Sequence, residues 1–358
     1  MNLDDYASFQ QIDSQNMLWH IEHLPDQLEK AWELGMQFDL PKFPPLKQII
    51  ISGVGGSAIG ADLVRYYVTH FCKIPVTVFR DYDLPAWAHG PDTLVIASSH
   101  SGNTEEVLYA LEAAEMNRCS ILAITTGGEI AQRAQTKGIP LWKYEFNGQP
   151  RAAVGYSFNL LLAIFVRLNI LPDPTPDVLG AIHALRQYHS ELQPKTPTVQ
   201  NPAKRIAGQL VGRWVSIYGA GFLAPVARRW KGQINEFAKA WAQYEFLPEA
   251  DHNTLAGTEN PENLLTHIAA LFLNSSFANP RHQIRIEMTR KAFMLQGIST
   301  DIIEARGETP LSHLWTTLQF GDYVAYYLAM AYQVDPTPVA ALDQFKRELA
   351  ATRIPAAK

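Results

Sequence analysis

Thr93-Leu94-Val95-Ile96-Ala97-Ser98-Ser99-His100-Ser101-Gly102-Asn103-Thr104-Glu105-Glu106 is an apolar run that breaks into a hydroxyl-rich loop containing one glycine. An amphipathic run from Val107 to Ala114 follows, so the segment reads as strand, loop and helix. Such a loop is a phosphate cradle: hydroxyls and the unbonded N–H groups of the first helical turn converge where the helix dipole favours an anion. The loop has no lysine and no Walker-type pattern, which argues against a magnesium nucleoside triphosphate. A small phosphorylated metabolite fits better.

Outward from this stretch, short apolar runs alternate with helical periods. Ile49-Ile50-Ile51 precedes a helix from about Ser57 to His70, Val76–Phe79 comes next, and Ile121–Ile124 follows the quoted segment. Continuous apolar runs separated by helices are parallel strands buried on both faces, so the expected class is α/β, a doubly wound sheet flanked by helices. Ligands of such sheets gather at the carboxyl ends of the strands.

The cadence recurs. Trp214–Gly221 repeats the order of Ile49–Gly56, a β run meeting a glycine turn before a helix, and Ile268–Leu273 supplies a later strand. Proline-rich breaks at Leu171–Pro176 and Gln193–Pro202 flank a helical connector. The expected organisation is a polar helical segment over 1–45, one α/β unit over 46–170, a connector over 171–200 and a second unit over 201–358.

Composition narrows the partners. A formal net charge of −5 with mixed signs along the chain argues against nucleic acid or an acidic membrane surface. Cys72 and Cys119 are too few for a disulfide framework, which suits a reducing, cytoplasmic setting. The start MNLDDYASFQ has neither the basic nor the apolar character of a signal peptide, and no apolar run approaches the roughly 20 residues a membrane helix needs.

Gly53-Val54-Gly55-Gly56-Ser57-Ala58 also satisfies a dinucleotide fingerprint through Gly53, Gly55 and Ala58, with Asp81 after the next strand. A nicotinamide-dependent dehydrogenase is therefore one alternative, and a purely structural turn another. The second anion loop of the same unit has no use in a dehydrogenase. It favours Gly56 and Ser57 as one wall of a sugar-phosphate site, with Ser99, Ser101 and Thr104 as the other.

The order GGSAIGADLV then SSHSGNTEE resembles the sugar isomerase, or SIS, domain. Asn235-Glu236-Phe237-Ala238-Lys239, Pro248-Glu249-Ala250-Asp251-His252-Asn253 and Val334-Asp335-Pro336-Thr337-Pro338-Val339 are similar to the bifunctional phosphoglucose/phosphomannose isomerases. The resemblance runs from about residue 48 to Lys346. It implies interconversion of glucose 6-phosphate and fructose 6-phosphate, with mannose 6-phosphate as well, by ring opening and a cis-enediol proton transfer.

That chemistry needs a phosphate site, a ring-opening acid–base group and a base moving a proton between C2 and C1. Glu236 matches the family's base. On its own residues it sits on an expected helix from Ala224 to Tyr244 whose apolar side is Trp230, Ile234, Phe237 and Trp241; the plain alternative is a solvated glutamate paired with Lys239 or Lys231. His252 matches the ring-opening histidine, and imidazole titrates in the range that task requires. Lys346 and Arg151 match an active-site lysine and arginine, the arginine suited to steadying the enediolate oxygens. Each has a bland rival, a surface lysine or an arginine bound to loop carbonyls.

Two departures stand out: His100 occupies a position where a tyrosine is expected, and the glycine loop has the single serine Ser57. His100 either points away from the ligand or adds positive charge beside the phosphate. His20-Ile21-Glu22-His23 resembles half a metal site without a third ligand. No metal and no cofactor is expected, since a carboxylate enolises unaided. A homodimer is expected, one subunit contributing His252 to the other's cleft. The rival of another class is a non-catalytic sugar-phosphate sensor.

Overall fold

A computed structural model describes residues 2–352 of the 358. Met1 and the expected end of the second unit, 353–358, lie outside the described residues. The first sheet holds β1 (Gln48–Ser52), β2 (Val76–Phe79), β3 (Thr93–Ser98), β4 (Ser120–Thr125) and β5 (Leu141–Lys143) in the order β2-β1-β3-β4-β5. The second holds β6 (Trp214–Ala220), β7 (Ala242–Leu247), β8 (Ile268–Asn274) and β9 (Ser299–Glu304) in the order β7-β6-β8-β9. Every pairing is parallel, as the α/β class requires.

β3 is buried along its whole length because β1 and β4 flank it and helices cover the sheet, which is why it reads as one unbroken apolar run. The strand order reverses between β1 and β3, where Ser52 lies opposite Ala97. A crevice opens at such a switch point beyond the carboxyl ends, so the loops after β1 and β3 face each other across it.

A contiguous apolar cluster joins the two sheets. It runs from Ile49 and Ile51 of β1, through Phe158 and Trp315 in edge-to-face contact, to Val215 and Ile217 of β6. The Pro310–Tyr332 helix, buried from Leu311 to Met330, is its centre. The Thr175–Leu192 helix within 171–200 packs Val178, Ala181, Ile182 and Leu185 into the same cluster. In the N-terminal segment, the Leu24–Gln37 helix buries Leu24, Leu28, Ala31 and Trp32, and Asn159 donates its amide to the Leu28 carbonyl at 2.7 Å. No helix among the described residues is long and apolar enough to cross a membrane.

One expectation is corrected. The helix beginning at Ala224 ends at Phe237, not Tyr244, and Ala242–Leu247 is strand β7. Lys239 takes a left-handed backbone (φ +52°), and its ammonium donates to the carbonyls of Glu236 and Phe237. A free helical C-terminus is capped in that way, and the chain turns into the sheet. Trp230, Ile234 and Phe237 are buried as the periodicity requires, whereas Trp241 is off the helix and 69% exposed. The three-residue β5 and the half-exposed, polar-interrupted β7 and β9 were not legible as strands.

Candidate active site

Two loops line the crevice at the carboxyl ends of β1 and β3. After β1 the chain turns into the Gly55–Val68 helix, whose N-cap Val54 offers no side-chain acceptor for the first-turn N–H groups. After β3, Ser99 and Thr104 share a hydroxyl hydrogen bond of 2.7 Å, and the Gly102 N–H donates to the Ser99 hydroxyl at 3.1 Å. The His100 N–H donates to the Ser57 hydroxyl at 3.2 Å, so the two loops touch. Ser57 and Ser99 are buried, and Ser101 is exposed at the rim.

Gly102 makes a second close approach possible, to the turn after β4. Its φ is +69°, and a Cβ there would stand 1.8 Å from the Gly127 carbonyl oxygen. The loop is thereby pressed onto the turn after β4, where the Thr126 N–H and hydroxyl both donate to the His100 carbonyl.

Gly56 also meets the short turn Pro150–Ala152 closely. A Cβ at Gly56 would lie 2.6 Å from the Pro150 carbonyl oxygen and 3.2 Å from the Arg151 Cα. Arg151 is buried, and its Nη2 donates to the Pro336 carbonyl at 3.0 Å and to that of Thr337. Its Nη1 stands 3.4 Å from the Glu236 carboxylate, and the guanidinium lies over the Phe237 ring. Burial pushes the Arg151 guanidinium below its ordinary range while Glu236 opposes that shift. An arginine remains charged nonetheless.

Glu236 thus has a different partner from the lysines its own helix offered. Lys239 spends its donors on carbonyls, those of Glu236, Phe237 and Asp335, and burial followed by the nearby Arg151 lowers its ammonium. The Glu236 side chain keeps 32% of its surface open, against 8% for Arg151. A carboxylate open on one side and held by a guanidinium on the other can accept a proton from a group entering on the open side.

Gly56, Ser57, Ser99, Thr104, Arg151 and Glu236 therefore form a connected group within one chain. His252 and Lys346 do not join it. His252 closes the short turn Glu249–His252 beyond β7, exposed, with no hydrogen bond or ion pair to Arg151 or Glu236 among the described residues. Its neighbour Asp251 fixes that turn, accepting from Arg285 and from the Thr289 hydroxyl, each at 2.7 Å. Lys346 is exposed on the Ala340–Ala351 helix, whose lead-in at Pro336 and Thr337 is held by Arg151.

His100 turns its ring behind the loop, with Nδ1 3.2 Å from the Tyr144 hydroxyl and the ring against Phe146. Burial lowers its pKa, which disfavours the charged role beside the phosphate. Among the described residues no group of three His, Cys, Asp or Glu side chains could hold a metal; His23 stacks on Trp19, and His20 packs on Phe146. An open groove of about 1050 Å³ lies at the amino ends of β1 and β2, between residues such as Leu46, Ile74 and Leu171, away from this group.

Sequence reasoning passed over Arg229 and Asp322. Arg229 donates to both Asp322 oxygens and to the Arg151 carbonyl. The available signal was its spacing, two helical turns before Glu236 on the same face.

Residues 199–349 match the family model described as the bacterial phospho-glucose isomerase C-terminal SIS domain, and residues 44–139 match the SIS domain. A bifunctional phosphoglucose/phosphomannose isomerase of Caldicellulosiruptor bescii is 38% identical over 93% of this chain and 99% of its own. One from Aquifex aeolicus is 31% identical over 85% of this chain and 91% of its own. The crystal structure of a glucose-6-phosphate isomerase like protein from Thermus thermophilus shares the fold, with a TM-score of 0.63 at 18% identity over 96% of this chain and 99% of that one.

Proposed function

This chain belongs to the bifunctional phosphoglucose/phosphomannose isomerase family, and from that premise we propose that it interconverts glucose 6-phosphate and fructose 6-phosphate, and mannose 6-phosphate with them. The observation that carries the reading is the position of Arg151, which abuts the Gly56 end of the anion cradle and the Glu236 carboxylate together.

The 6-phosphate binds the helix N-terminus at Gly56 and Ser57 and the hydroxyls of Ser99, Ser101 and Thr104. His252 opens the ring, taking the proton from the O1 hydroxyl and delivering one to O5 as the C1–O5 bond breaks. Glu236 then removes the C2 proton of the open aldose and returns it to C1, while the C2 hydroxyl proton is lost and the C1 oxygen gains one. The sugar is oxidised at C2 and reduced at C1, so no external oxidant is needed. Arg151 steadies the negative charge that develops on the enediolate oxygens, and Lys346 adds a second cation from the C-terminal helix. Rotation about C2–C3 in the enediol lets the same base serve both C2 epimers.

The exposure of His252 and its lack of any bond to the Arg151–Glu236 group support a homodimer, each subunit supplying His252 to the other's cleft. Soluble sugar phosphates as substrates fit a cytoplasmic enzyme. A coupled assay on the three hexose 6-phosphates tests the reading directly: turnover of glucose and mannose 6-phosphate to fructose 6-phosphate is expected. Tight binding of all three with no turnover would leave a sugar-phosphate sensor instead.

A further inference from the structure

The proton transfer described above makes no use of the most deeply buried ion pair beside it. Arg229 and Asp322 are each 3% exposed. Arg229 Nε and Nη2 fork onto the two Asp322 oxygens at 3.1 and 2.8 Å, and its remaining Nη1 donates to the Arg151 carbonyl at 2.8 Å. Two charges withdrawn from water to this depth are weak evidence for stability, because desolvation offsets their attraction. A buried pair whose third donor is spent on one main-chain carbonyl invites a different account.

Arg229 and Glu236 lie seven residues apart on the Ala224–Phe237 helix, on one face and about 10 Å apart along the axis. Both reach residue 151. Arg229 holds its carbonyl and Glu236 meets its guanidinium, while Pro336 and Thr337 accept from the far side of that guanidinium. Asp322 sits in the Pro310–Tyr332 helix, which is buried from Leu311 to Met330, so the fork ties the turn at residue 151 to the core. The carbonyl of a short turn has no ladder to fix it, and this bond supplies the restraint.

We propose that the Arg229–Asp322 pair is a positioning device, which fixes the main chain at Arg151 and so keeps that guanidinium against Glu236 through the proton transfer. The proposal rests on the reading of Arg151 and Glu236 given under the proposed function. Lysine cannot replace Arg229 in this role, since one ammonium cannot fork onto a carboxylate and also reach the carbonyl.

Three proteins test it: the unsubstituted chain, Arg229→Lys, and the apolar double variant Arg229→Met with Asp322→Leu. The double variant removes both charges together, so it folds with an unchanged or higher Tm. Its kcat is expected to fall about 100-fold with KM for fructose 6-phosphate held within about threefold, the pattern of lost alignment with intact phosphate binding. Arg229→Lys is expected to keep its Tm and lose at least about tenfold in kcat. A folded double variant with undiminished kcat, a change in KM alone, or failure of both variants to give soluble protein would each overturn the positioning role. An inactive unsubstituted chain would instead remove the isomerase reading, so the two failures are distinguishable.

Discussion

The Glu236 carboxylate stands 3.4 Å from the Arg151 guanidinium, and the lysine three residues along its own chain is turned to carbonyls instead. The pair is asymmetric: Arg151 is buried and donates to the Pro336 and Thr337 carbonyls, whereas the Glu236 side chain keeps 32% of its surface open.

Glu236→Gln keeps the shape of the side chain and removes the base. Turnover should fall by about 10²–10⁴ and exchange of the C2 proton in deuterated water should stop, while fructose 6-phosphate binding changes little. Calorimetric binding together with the exchange rate checks this; unaltered exchange would falsify the role of Glu236.

Gly56→Ala places a Cβ 2.6 Å from the Pro150 carbonyl oxygen. The cradle and the turn carrying Arg151 must then separate, which costs about 1–3 kcal/mol as overpacking. The expected result is a lower Tm and a higher KM in the same variant. A variant with normal thermal unfolding and normal KM contradicts the close approach on which the site depends.

Mixing Glu236→Gln with His252→Asn tests the shared cleft. If each site takes Glu236 from one subunit and His252 from the other, random pairing gives half heterodimers with one intact site each, about a quarter of the unsubstituted activity. Refolding equimolar mixtures and assaying them measures it. Activity no higher than that of either parent variant removes the cross-subunit histidine.

His100, His20 and His313 all have pKa values lowered from 6.5 by burial. The unfolded chain therefore takes up these protons first. The stability they provide is fully present above about pH 6.5 and is lost as pH falls through that value toward the depressed folded ones. Tm should decline between pH 7 and pH 5, and His100→Phe should decline less steeply. Parallel Tm–pH curves for the two proteins would show that the His100 ring does not titrate with folding.

Much of the framework was legible locally. The runs at Ile49–Ile51, Thr93–Ala97 and Trp214–Ala220 are strands in place, because a strand covered on both faces must be largely apolar. The helix end at Phe237 was not, since Lys239 stops it through a left-handed turn and bonds to carbonyls that periodicity does not encode. Trp241 looked like a continuation of the apolar side for the same reason.

By itself the sequence determined two parallel α/β sheets and a hydroxyl cradle after β3, because strand burial, helix starts and loop chemistry are written in neighbouring residues. Only the tertiary structure decided that Glu236 meets Arg151, that Arg229 and Asp322 hold residue 151 from beneath, and that His252 and Lys346 stand apart from them. Those relations depend on how the Ala224–Phe237 and Pro310–Tyr332 helices pack against the Pro150–Ala152 turn. Packing between distant segments is a property of shape and of shared burial, which no local spacing carries.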